Sequence, residues 1–130
     1  KKQNNYDCES LLSFKDSLYV FTKERENNRT RLFSISKIPG NYTARLVDSF
    51  DSKGLVTDAG INASNNEVAL IGYHKGHQYP FIILFKDFQG NNFFTGKAER
   101  IELADRPWDW QLESIYFKGD DMVYFACEGT

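Results

Sequence analysis

Nine clusters of turn-forming residues punctuate this chain at nearly even spacing, and they constrain its fold more than any other feature. They fall at Lys15-Asp16-Ser17, Asn27-Asn28, Pro39-Gly40-Asn41, Ser52-Lys53-Gly54 and Ser64-Asn65-Asn66. The series continues with Lys75-Gly76, Gly90-Asn91-Asn92, Asp105-Arg106-Pro107 and Lys118-Gly119-Asp120. Gly takes positive φ freely, Pro fixes φ, and Asn, Asp and Ser bond their own backbone, so such clusters end regular structure. The ten segments they leave are mostly rich in Phe, Tyr, Val, Ile and Leu, which pack well on a pleated surface. None sustains apolar residues at helical spacing. Short strands with regular turns predict an all-β fold, either a sandwich, a barrel or a propeller. Strands are expected at 9–14, 17–23, 30–36, 43–50, 56–63, 67–73, 79–87, 97–103, 112–117 and 122–127. The seventh holds Phe81-Ile82-Ile83-Leu84-Phe85, apolar on both faces, which predicts a central strand covered on both sides. The aromatic turn from Phe88 to Phe94 is expected to fold back onto the body.

An internal repeat narrows the choice. Residues 8–24 read CESLLSFKDSLYVFTKE and residues 112–128 read LESIYFKGDDMVYFACE. Glu9, Ser10 and Leu11 match Glu113, Ser114 and Ile115, and Phe14-Lys15 matches Phe117-Lys118 after a one-residue gap. Leu18, Val20, Phe21 and Glu24 then match Met122, Tyr124, Phe125 and Glu128. The stretch 56–74 has the same layout, with Asp58 where the Glu stands. Copies begin near residues 9, 58 and 113, and a period of about 50 with four strands per unit is the signature of a β-propeller blade. The expected organisation is one propeller-like region over 1–130, with antiparallel four-stranded blades at about 7–50 and 54–104 and a partial blade at about 108–130. About two and a half blades cannot close a ring, which predicts a fragment of a larger propeller partnered by its remaining blades. A complete ten-stranded, lipocalin-like ligand-binding barrel fits the same length, and it would pair the first strand with the last.

The strings DCESLLSFKDSLYVFTKE, GLVTDAGINASNNEVALIGY and WQLESIYFKGDDMVYFACE resemble repeats of secreted or lipoprotein-type bacterial β-propellers with no established activity. The likeness spans most of the chain. It implies an extracytoplasmic location and no established activity, and the lack of a nucleophile or metal motif in the chain favours a non-catalytic binding or scaffold role. A more distant resemblance, to phytase-like and esterase-like propellers, would imply a Ca²⁺-dependent hydrolase. Strands in those proteins often start Asp-x-Glu-Gly, and here Ser10 and Ser114 stand where the Gly would be.

Composition removes several function classes. The 16 Lys+Arg against 18 Asp+Glu leave a net charge of −2, which argues against a nucleic-acid partner. No apolar run is long enough for a membrane-spanning helix. A 41% hydrophobic and 15% aromatic content supplies a core. Cys8 and Cys127 form no Cys-x-x-Cys pair, so a cysteine zinc site is not indicated. If the chain is blades, these two thiols lie too far apart to bond. There is no Gly-x-Ser-x-Gly string for a nucleophile elbow and no phosphate-cradling Gly loop.

The remaining candidates are acidic and aromatic. In a blade, the innermost strand starts at one rim of the central channel and the second ends at the same rim. Glu9, Asp58 and Glu113 would therefore ring the channel mouth, with Glu24, His74 and Glu128 one strand out. Such carboxylates can hold Ca²⁺ through oxygen ligands, or can accept backbone N–H bonds that keep blades in register. Trp108, Trp110 and His74 are the candidate ligand-binding residues for a small molecule, a glycan or a protein. Exposed Trp pairs stack on sugars or anchor partners, whereas buried ones would wedge two blades together.

Overall fold

The computed structural model describes residues 6–74, 76, 79–104 and 111–128. It contains ten strands: β1 Tyr6–Phe14, β2 Ser17–Glu24, β3 Thr30–Ser36, β4 Arg45–Phe50, β5 Leu55–Asn62, β6 Glu67–Tyr73, β7 Pro80–Lys86, β8 Lys97–Glu102, β9 Gln111–Lys118 and β10 Met122–Glu128. Among the described residues there is no α-helix, only single 3-10 turns at Ala63–Asn65 and Phe93–Thr95. Turn residues hold the positive φ angles that strand reversal needs, with Asn28 at 56°, Asn66 at 48°, Asp87 at 56° and Gly119 at 65°. Expected and observed strands differ most at two ends. β1 starts at Tyr6 because its pairing with β2 runs on to Tyr6↔Glu24. β4 starts at Arg45, the last residue paired to β3.

All pairings are antiparallel between neighbours in sequence, giving sheets β1-β2-β3-β4, β5-β6-β7-β8 and β9-β10. The ladder breaks between β4 and β5 and again between β8 and β9. The alternative of a closed barrel with β1 paired to β10 is therefore not adopted among the described residues. The strands stay in separate sheets because the second sheet buries both of its faces. Leu70, Phe81, Ile83 and Phe85 face the first sheet, while Ala69, Ile71 and Ile82 face the third. β7 is the central, doubly covered strand that its apolar run requires, with Phe81, Ile82, Ile83 and Phe85 all buried.

β1, β5 and β9 begin their sheets and lie side by side, β5 between the other two. Each hairpin they start carries a one-residue bulge near the start of that strand. Register slips between Cys8 and Ser10, between Val56 and Asp58, and at the β9 residues opposite Ala126 and Cys127. The bulged residues are Glu9, Thr57 and Glu113. Counting from the bulges, Leu12, Gly60 and Tyr116 occupy equivalent sites, as do Leu11, Ala59 and Ile115. Each sheet therefore has a forward face and a back face. The forward face of the first sheet packs on the back face of the second, and the second packs likewise on the third. Gly60 brings β5 close to β9, since a Cβ there would lie 3.4 Å from Phe117 and 3.5 Å from the Ile115 carbonyl.

The β7–β8 connection fills the gap between the first two sheets, as expected for its aromatic turn. Phe88 and Phe93 are buried. The Phe93 ring lies 4.9 Å from Tyr19, 4.9 Å from Phe88, 5.7 Å from Phe14 and 6.2 Å from Phe21, mostly edge to face. Asn92 fixes the turn twice, accepting from the Phe94 amide at 3.1 Å and donating to Asp48 on β4 at 2.8 Å. Truncating a buried Phe typically costs about 3–5 kcal/mol. Phe93→Ala is expected to lower unfolding stability by that amount in urea titration. A loss below about 1 kcal/mol would mean that the turn does not join the two sheets.

Candidate functional site

The starts of β1, β5 and β9 meet at one rim, and the charged residues gather there. The bulge turns Glu9 toward the end of β2, where its Oε2 accepts from Lys23 Nζ at 2.9 Å. The Lys23 side chain is only 6% exposed and lies 5.3 Å from the Tyr73 ring centroid. Burial works against the ammonium, but hydrogen bonds to Glu9 and Tyr73 outweigh it and hold the Lys23 pKa above its ordinary value. Glu113 lies within the same field. Burial raises its carboxyl, Lys23 offsets part of this, and Glu9, Glu128 and Asp58 push it further up. The three rim carboxylates thus share one neighbourhood, with a lysine among them.

Asp58 does a different job. Its Oδ2 accepts from the Ile115 amide at 2.8 Å, tying the second sheet to the third. Thr57 beside it donates to the Leu112 carbonyl. Counted from the bulges, Asp58 aligns with Ser10 and Ser114, and Thr57 aligns with Glu9 and Glu113. The alignment made from the sequence is one residue off at this point. A similar shift affects the second strand of each hairpin: Lys23, rather than Glu24, aligns with Glu128. The β1–β2 turn has two residues and the β9–β10 turn three, which moves the strands past one another by one place.

Glu24 points to the opposite face of β2. Its side chain is 2% exposed and accepts from Arg31, from Asn27 at 2.8 Å and from Thr22 at 3.0 Å. Burial alone would raise this carboxyl, but the bonds from Arg31, Asn27 and Thr22 prevail and lower it. His74 follows the last residue of β6, and its ring reaches β8. Its Nε2 lies 3.2 Å from Glu102 and 3.0 Å from Arg100 Nη2. A carboxylate needs an N–H at that nitrogen and a guanidinium needs a lone pair, so one ring state satisfies only one of them. Arg100 stacks 3.9 Å from the Phe81 ring centroid and donates to the Ser52 carbonyl, clasping the β4–β5 connection. His74 is thus built into a surface ion cluster. Trp108 and Trp110 lie outside the described residues.

Among the described residues, no group of three or more His, Cys, Asp or Glu side chains is placed to hold a metal ion. Glu9 and Asp58 have Lys23 and a backbone amide as their near partners. Cys8 and Cys127 are both free, one on the back of the first sheet and the other facing the second sheet from the third. The residues that sequence reasoning passed over are the cations, Lys23, Arg31 and Arg100. The adjacent Lys23-Glu24 pair was visible as such, but only the strand alternation shows that the two side chains serve opposite faces. Comparison with known protein families, with curated proteins and with solved structures gives no match.

Glu24 and Glu113 should have opposite effects on stability. The folded pKa of Glu24 is depressed, so its stabilisation is present above the ordinary value of 4.5 and is lost as pH falls through the depressed value. The folded pKa of Glu113 is raised, so its contribution is present below 4.5 and is lost as pH rises through the raised value. At pH 7, Glu24→Gln is expected to destabilise the protein by about 2 kcal/mol and to flatten the acid limb of its stability curve. Glu113→Gln should instead stabilise it at pH 7 and make no difference below both pKa values. Urea midpoints measured across pH check both, and a destabilised Glu113→Gln at pH 7 would reverse the assignment.

Proposed function

We propose that this chain is a run of β-propeller blades, two of them whole and a third represented by its inner hairpin. It serves outside the cytoplasm as a non-catalytic binding or scaffold domain. The observation that carries this reading is the coincidence of three bulges, at Glu9, Thr57 and Glu113, with three neighbouring first strands that pack forward face to back face. A blade series needs one repeated step between sheets, and a bulge near each inner strand start supplies a common twist there. The location rests on the resemblance of the repeat strings to secreted and lipoprotein-type bacterial propellers.

The rim chemistry favours a scaffold over a hydrolase. Glu9 is paired with Lys23 within the first sheet, and Asp58 accepts from the Ile115 amide, tying the second sheet to the third. Ligand recognition is assigned to Trp108 and Trp110 in the β8–β9 connection, whose residue types suit a glycan, a small molecule or a protein surface.

Calorimetric titration with Ca²⁺, together with ester- and phosphate-release assays, tests the non-catalytic reading. The expected result is no saturable Ca²⁺ heat and no turnover above background. Saturable Ca²⁺ binding and turnover, both lost in Glu9→Gln and Glu113→Gln, would replace this reading with the calcium-dependent hydrolase.

A further inference from the structure

β4 is the outer strand of the first sheet, and it bulges at Val47, between the pairs Phe33↔Leu46 and Leu32↔Asp48. Pairing sets Ser34 opposite Arg45. Ser34 lies two residues from Leu32, so both members of that pair share the face that Leu32 turns to the second sheet. Leu32 is buried there, whereas Ser34 is half-buried and Arg45 exposed. The second sheet reaches across with its β7–β8 connection, where Asn92 donates to Asp48 of β4. A mostly polar cavity of about 310 Å³ lies between them, lined by Ser34, Arg45, Leu46, Val47, Asn91 and Asn92. Its size falls at the small end of the range for ligand pockets, about 300–1,000 Å³. Both of its walls belong to sheets that already pack on one another.

One wall is held in place and the other polar groups are left free. Asn92 accepts from the Phe94 amide at 3.1 Å, its carbonyl accepts from Thr95, and Phe93 beside it is buried. Among the described residues, the Ser34 hydroxyl, the Arg45 guanidinium and the Asn91 amide make no hydrogen bond, and Arg45 has no ion-pair partner. The cavity therefore offers one uncompensated positive charge, an amide and a hydroxyl on a preorganised frame, which lowers the cost of binding. We propose that it binds a monosaccharide bearing a single carboxylate, a uronate. The planar fork of Arg45 takes the carboxylate through two parallel N–H bonds. Asn91 and Ser34 donate to and accept from the sugar hydroxyls, and the half-buried Val47 lies under the C–H face of the ring. The Asp48 carboxylate, 2.8 Å from the Asn92 amide, opposes a second negative charge, which sets a uronate apart from a phosphate dianion. This site is separate from Trp108 and Trp110, and it requires neither the blade reading nor the extracytoplasmic one.

Titration of the isotope-labelled chain with sodium glucuronate, followed by NMR amide shifts, tests this. Saturable shifts are expected at Ser34, Arg45, Leu46, Asn91 and Asn92, with a dissociation constant of about 1 mM or tighter. Glucose lacks the carboxylate and acetate lacks the ring, and each should bind at least about tenfold more weakly. Arg45→Ala should weaken glucuronate binding at least about tenfold, and Arg45→Lys should restore only part of it, because an ammonium lacks the planar fork. Asn91→Asp, which brings a negative charge to the cavity, should weaken binding as Arg45→Ala does. Arg45 and Asn91 are exposed and unbonded, so all three variants should keep the wild-type unfolding midpoint. A free uronate and the end of a uronate-containing chain share this chemistry, and the methyl glycoside of glucuronate separates them. Equal binding of the glycoside assigns the site to a chain end, and loss of binding assigns it to the free sugar; both support the site. Absence of saturable shifts would overturn the proposal. So would an equal response to glucose, acetate or phosphate, shifts centred away from the cavity, or undiminished binding by folded Arg45→Ala.

Discussion

Burial of both faces of the second sheet is the constraint on which the rest of the structure depends. β6 and β7 place Val68, Leu70, Phe81, Ile83 and Phe85 on one side and Ala69, Ile71 and Ile82 on the other, all buried. A sheet of this kind cannot face water, and burying such side chains is favourable by about 1.5–3 kcal/mol each. It has to be sandwiched, and the first and third sheets do this from opposite sides. The Phe88–Phe93 turn then fills the space that two twisted sheets leave between them.

The edge where the three first strands meet solves a second problem. Three first strands brought together present bulged backbone and carboxylates at close quarters, where like charges would repel. Lys23, drawn in by Glu9 and Tyr73, offsets that charge at the first interface, and Asp58 spends its own on the Ile115 amide at the second. Glu113 is raised by burial and by Glu9, Glu128 and Asp58, which Lys23 only partly offsets.

Much of the architecture was legible in the sequence because it is local. Turn clusters fixed ten strands in order, and β3 and β6 have the expected limits. The apolar run Phe81 to Phe85 announced a doubly covered strand, and the aromatic turn announced a plug. What escaped was register. A bulge shifts pairing by one residue, and a turn one residue longer shifts it again, so Asp58 and Glu24 were each placed one position from their true counterparts. Partners such as Lys23–Glu9, Arg31–Glu24 and Asn92–Asp48 depend on that register and on contacts distant in sequence. No local pattern encodes them.

Native-state hydrogen exchange tests the central claim most directly, because it ranks amides by the unfolding that exposes them. If the doubly buried second sheet organises the fold, the amides of Val68, Leu70, Ile71, Phe81, Ile83 and Phe85 should exchange slowest and only through global unfolding. Those of β9 and β10 should open earlier, in a smaller event that leaves β6 and β7 protected. Exchange of β6 and β7 at the rate of β10, or through an opening that spares the first sheet, would contradict the account.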